Sequence, residues 1–318
     1  MNKSEFLTRL PVIAGVAALV GIAGCSTSGG SPNSYSVPSA ASPFNTWQSI
    51  APGQTVNATG VSHQVTWAAG SDGNVLISGS GFLSTGGANF VGVYDNSVNL
   101  TLLTLQSSLG FALTFDKSNG DTIAPLNVGG LPGPYTGATS VNSRSIAVLA
   151  DPIGNGWSYQ SYGVWMTGLG VGGTQGGISY GNPSTVVPLA GTATFAGNAA
   201  AIYVSPNGVP ALATANMTAN VDFGALTVAW GTSGTMLANS VVAKNVTSTV
   251  AAPQLDANGL LTISGTQFTG AAQTNNLNLT GTAAGQFYGP NATEIGGTFG
   301  LRGNGVESLR GAFGGKIQ

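Results

Sequence analysis

Between Ala213 and Phe223 every odd position is apolar and every even one is Thr, Asn or Asp. A period of two gives one dry face and one wet face, so this stretch predicts a β-strand with a single register. Leu226–Trp230, Leu261–Ile263, Leu277–Gly281 and Leu309–Phe313 repeat the alternation more weakly. In the first half, apolar runs at Val75–Ile77, Phe90–Tyr94, Leu100–Leu105, Phe111–Phe115 and Ile146–Leu149 are separated by turn-forming residues at Gly86-Gly87, Asp95-Asn96, Ser118–Asp121 and Gly129–Pro134. Regular spacing of short strands and turns predicts an antiparallel sheet. Ser97–Leu109 is long enough for a helix, and its leucines at 100, 102, 103 and 105 fit neither period, so it reads as helix or strand. Near the end, Phe287 and Tyr288 lead into Gly289-Pro290-Asn291, and Glu294, Ile295, Gly297 and Phe299 follow, which predicts a closing hairpin.

Composition narrows this to an ordered all-β chain. Only 6% of the 318 residues are charged and 50 are glycine, yet β-branched and aromatic residues recur throughout, unlike a disordered chain. The length suits two ordinary domains. Net charge is −2, and without Lys3, Glu5 and Arg9 it becomes −3, with six basic against nine acidic residues. Six scattered cations cannot assemble a phosphate-binding surface, which excludes a nucleic-acid partner.

Lys3 and Arg9 flank the start of an uncharged run, Leu10–Gly24, of signal-peptide length. It ends in Leu19-Val-Gly-Ile-Ala-Gly-Cys25, which resembles the bacterial lipobox, where small residues precede a cysteine that is lipidated. Residues 1–24 then form a lipoprotein signal peptide, and residues 25–43, rich in Ser, Gly, Pro and Asn, a lipidated tether. Ser26 after the cysteine resembles proteins sorted to an outer membrane. An ordinary secretory leader with an incidental cysteine is the simpler alternative. Cys25 is the sole cysteine, so no disulfide forms within the chain.

Gln286–Phe299, with Phe287-Tyr288-Gly289-Pro290, Ala292, Glu294, Gly296-Gly297 and Phe299, is followed by Gly311-Ala-Phe-Gly-Gly-Lys316. These two motifs, in this order, resemble the C-terminal barrel of the transferrin-binding protein B family of bacterial surface lipoproteins. Tyr159–Trp165 and Pro188–Gly197 resemble it more weakly. The resemblance implies an eight-stranded antiparallel β-barrel over residues 182–318, preceded by a smaller β-rich handle-type domain over residues 44–181. It also implies a lipid-anchored, surface-exposed outer-membrane protein, moved by the outer-membrane lipoprotein translocation machinery, that captures a protein or small ligand without catalysis. Relatives bind iron carriers, complement regulators or heme, and this chain has one lobe where transferrin-binding protein B has two. A structural or adhesive surface lipoprotein with no soluble ligand is the alternative. Gly281, Gly297 and Gly311 fall on apolar faces, where small residues would make room for Trp230, Phe299 and Phe313 inside the barrel. A transmembrane barrel would invert that arrangement.

Few residues invite chemistry. His63 is the only histidine; it reads as a satisfied strand or loop residue, or, through the resemblance, as an axial heme ligand. No other cofactor and no metal is expected. Gly168–Gly173 fits a dinucleotide-binding pattern and Gly177–Gly181 a nucleophile elbow, but neither is followed by a helix-forming stretch, which both chemistries need. Trp157, Tyr159, Tyr162 and Trp165 form the densest aromatic group and read as core or interdomain packing. Glu294 and Glu307 make no general acid and base pair, and no catalytic residue is assigned.

Overall fold

Two antiparallel sheets account for the fold of the computed structural model, which describes residues 45–76, 84–126 and 129–318. The leader, Cys25 and the tether lie outside the described residues. The first sheet contains β1 (Thr55–Ala69), β2 (Val75–Leu76), β3 (Ser84–Tyr94), β4 (Leu100–Ser107) and β5 (Phe111–Asp116). After a 3-10 turn at Lys117–Asn119 it continues with β6 (Thr122–Pro125), β7 (Tyr135–Thr139), β8 (Ile146–Ala150), β9 (Gln160–Met166) and β10 (Gly173–Gly181). Its strand order is β5-β4-β3-β1-β10-β9-β8-β7-β6, with β2 paired to β1. The two edge strands, β5 and β6, are consecutive in the chain but do not pair, so this sheet is a nearly closed barrel with one open seam.

The second sheet contains β11 (Thr192–Val204), β12 (Pro210–Asp222), β13 (Thr227–Ala238), β14 (Thr249–Ala251) and β15 (Ala257–Ser264). It ends with β16 (Gln267–Thr274), β17 (Thr280–Tyr288), β18 (Glu294–Arg302) and β19 (Ser308–Ile317). Pairing of β12 with β13 joins its two ends, and β14 hangs on β13. The result is the expected closed eight-stranded antiparallel barrel. Both sheets belong to one compact unit.

In β12 the alternation is realised from Ala215 onward, where Ala215, Met217, Ala219 and Val221 are buried while Asn216, Thr218 and Asn220 are exposed; Thr214, expected on the wet face, is buried. Phe195, Trp230, Phe268, Phe287, Phe299 and Phe313 fill the interior. Trp230 packs against Phe299 and Phe313 at 5.2 and 4.9 Å between centroids. The pairing register sets Gly297 opposite Phe313, Gly311 opposite Phe299, and Gly285 opposite Phe268. A Cβ on Gly311 would lie 2.5 Å from the Phe299 ring, and one on Gly297 2.7 Å from the Phe313 ring. Glycine there is a packing requirement, because close-packed interiors leave no slack for an added methyl. Gly281 differs from expectation: its Cβ would meet the Gly300 carbonyl, so it serves close backbone approach and not ring packing. An interior void of about 10 Å³, beside Ala199 and Ala213, is too small for a ligand.

Other local expectations are corrected. Gly86-Gly87 sits within β3, paired with Ser62 and Val61, and makes no turn. Ser97–Leu109 contains strand β4, whose Leu103, Thr104 and Leu105 are all buried, which is why it shows no period. Leu277 stands in a turn at φ 61 and is exposed, and β17 begins only at Thr280.

Candidate functional site

β9 and β10 are buried along nearly their whole length, on both faces. One face, with Trp165, Ile178 and Tyr180, packs inside the first sheet. The other, with Tyr162, Val164 and Met166, joins Ala200, Ile202 and Ala312 of the barrel in a shared core. The closing hairpin supplies the polar part of that junction. Glu294 Oε1 accepts the Ser158 N–H at 2.6 Å, and Oε2 accepts the N–H groups of Tyr159 and Gln160 at 2.8 and 2.9 Å. Burial pushes this carboxyl up, while the three N–H donors and nearby Lys316 pull it down. Tyr288 Oη and Ser179 Oγ are hydrogen-bonded at 2.8 Å. Tyr162 Oη bonds Asn198 Oδ1, and Asn198 Nδ2 donates to Asn155 Oδ1 at 2.6 Å. Phe287, Ile295 and Phe299 of the same hairpin point into the barrel core. The hairpin therefore fills the barrel with alternate residues and docks it on the first sheet with the others.

The sequence-level candidates fall into this junction or into turns. His63 lies in β1 opposite Gly177, is 1% exposed, and neither ring nitrogen has a partner among the described residues. Burial, then the Arg310 charge, holds its pKa down at about 3. With no open edge on the imidazole, a heme cannot reach it in this arrangement. Ser179 is in the middle of β10, not on a strand-to-helix turn. Gly168–Gly173 forms the β9–β10 turn, with φ positive at Gly168, Gly170 and Gly172, and leads into a strand. Of the aromatic group, Trp157 and Tyr162 belong to the junction core, and Trp165 stacks on Phe111 at 4.4 Å inside the first sheet. Glu307 accepts a hydrogen bond from Tyr203 Oη at 2.7 Å.

A site that the sequence did not reveal lies at the open seam. A pocket of about 290 Å³ is bounded on one side by Tyr94, Val98–Leu100 and Lys117, and on the other by Ile123–Pro125, Thr136 and Leu149–Ile153. Its floor is aromatic. Phe90 and Tyr180 stack with centroids 4.3 Å apart, and Trp47 meets both edge-on at 5.9 and 6.0 Å. Asp151 Oδ1 accepts the N–H groups of Ile153 and Gly154 at 3.0 and 3.2 Å, which fixes the carboxylate. Apolar walls with few, fixed polar groups are the make-up of a small-molecule site. No sequence spacing links these residues, because they come from six strands, their turns and an N-terminal 3-10 turn.

A closed eight-stranded barrel docked on a second, seamed antiparallel sheet defines an all-β, double-barrel class of protein. Residues 187–317 match the family of C-lobe and N-lobe beta barrels of Tf-binding protein B, so the closed barrel of this chain is similar to the barrels of that family. None of the curated protein sequences matches the chain. A mutant transferrin-binding protein B of Haemophilus parasuis Hp5 is similar at 13% identity, over 85% of this chain and 78% of that one, with a TM-score of 0.42. A protein described as a surface lipoprotein is similar at 14% identity, over 81% and 98% of the chains, with a TM-score of 0.43. The N-lobe of lactoferrin-binding protein B of Moraxella bovis is similar at 14% identity, over 82% and 99%, with a TM-score of 0.36. The family match covers the barrel alone.

Proposed function

We propose that this protein is a lipid-anchored outer-membrane protein, displayed at the cell surface, that captures a ligand without catalysis. The observation that carries the reading is the match of residues 187–317 to the barrels of a binding protein. The lipobox-like run ending at Cys25 supports the anchor, and the seam pocket supplies a place for a ligand. The lipoprotein translocation machinery of the outer membrane would be its partner in export, and a protein or small molecule its partner in capture. Heme capture through His63 is not part of the reading, given the enclosure of that ring. Display is tested by adding protease to intact cells: the folded part is released from wild type, and Cys25→Ala abolishes membrane attachment. Full protection of the wild-type protein on intact cells would overturn surface display, and unchanged attachment of Cys25→Ala would overturn the anchor.

A further inference from the structure

The seam pocket has a definite polarity, and it points to one class of ligand. Asp151 is its only acidic lining residue and Lys117 its only basic one. The two are not equivalent. Asp151 is partly buried and held by two backbone N–H groups through Oδ1, leaving Oδ2 without a hydrogen bond among the described residues. Lys117 is exposed on the rim, and its charge acts on Asp95 in the β3–β4 turn. Asp116 and Asp121 flank Lys117 in the chain, so one cation stands among three carboxylates outside the pocket.

Tyr94 is the second polar feature. Its hydroxyl has no hydrogen-bond partner among the described residues, and the side chain lines the cavity. Burial and then the Asp151 charge push its ionisation well above the usual tyrosine range, so it stays neutral and free to donate or accept. Behind these two groups stand the rings of Trp47, Phe90 and Tyr180, each about 2% exposed. A fixed carboxylate and an unpaired phenol beside an apolar, aromatic wall favour a cation that brings its own apolar surface. An anion would face Asp151, and the one lining cation, Lys117, stands out on the exposed rim.

We propose that the seam pocket binds an organic ligand carrying a protonated amine on a compact apolar body, with the ammonium on Asp151 and Tyr94 and the body on the aromatic floor. The inference rests on the capture reading and adds the ligand's chemistry. A volume of about 290 Å³ is at the small end of ligand pockets, which start at roughly 300 Å³, so the body is no larger than one or two rings.

The test is calorimetric titration of the purified full-length protein with 2-phenylethylamine, and with phenylacetate and 2-phenylethanol as size-matched controls. The amine binds; the acid does not; the alcohol binds at least about tenfold more weakly, as loss of a charge-assisted contact requires. Asp151→Asn keeps an acceptor for the Ile153 and Gly154 N–H groups, so it keeps the loop, and it weakens the amine by at least about tenfold. Tyr94→Phe weakens it severalfold. Binding of phenylacetate as tight as that of the amine, absence of amine binding, or an amine affinity unchanged in Asp151→Asn would overturn the proposal. A small-molecule adduct on the native protein that contains no amine would leave capture standing and overturn only the amine assignment.

Discussion

His63 shows how much a single buried residue can say about stability. Its pKa of about 3 lies below the ordinary value of 6.5, so the unfolded chain binds a proton more readily than the folded one between those limits. The stability it contributes is therefore present above pH 6.5 and is lost as pH falls toward 3. The full difference is on the order of 5 kcal/mol, at about 1.4 kcal/mol per pH unit. Arg310, buried nearby and the only charge acting on it, opposes protonation in the same direction. Urea unfolding of wild type and His63→Gln at pH 7 and pH 4.5 checks this. The gap between the two proteins shifts by about 2–3 kcal/mol in favour of the variant on acidification; parallel profiles would show that His63 does not titrate in the junction. The sequence offered His63 as a candidate because it is the lone histidine, and gave no sign that both faces of its strand are covered at Ser62 and His63.

That blindness to double burial recurs at the scale of elements. Strand β12 was legible because one face is wet, and the closing hairpin because turn residues and aromatics sit at fixed offsets. β9 and β10 were not read as strands, since the junction with the barrel removes the wet face that gives alternation. Family resemblance identified the hairpin as scaffold; the structure adds that its glutamate is a staple between the sheets. Glu294→Ala strands three N–H groups at Ser158–Gln160, one buried and two half-buried, and costs about 3 kcal/mol, while Glu294→Gln keeps a carbonyl acceptor and loses less. Thermal unfolding ranks the three proteins. Equal melting temperatures for wild type and Glu294→Ala would mean that the hairpin does not fasten the first sheet.

For the whole molecule, the decisive asymmetry is that one sheet closes and the other does not. The barrel spends its interior on Trp230 and the phenylalanines around it, with glycine opposite the rings, and has no room for a ligand. The first sheet leaves β5 and β6 unpaired, and the gap is lined by groups drawn from distant parts of the chain. A seam of this kind follows from which edges fail to pair, a property of topology that no local pattern of residues carries. This explains why the fold class and the barrel could be read from sequence and the pocket could not.

The measurement that bears most directly on ligand capture at the seam is native mass spectrometry of the full-length protein taken from its own cells, compared with Thr136→Trp. Thr136 is half-buried on the pocket wall, so the indole fills the cavity without entering either core. Wild type is expected to carry a small-molecule adduct that Thr136→Trp lacks, with both proteins equally folded. The same adduct on both, or none on wild type, would contradict capture at the seam.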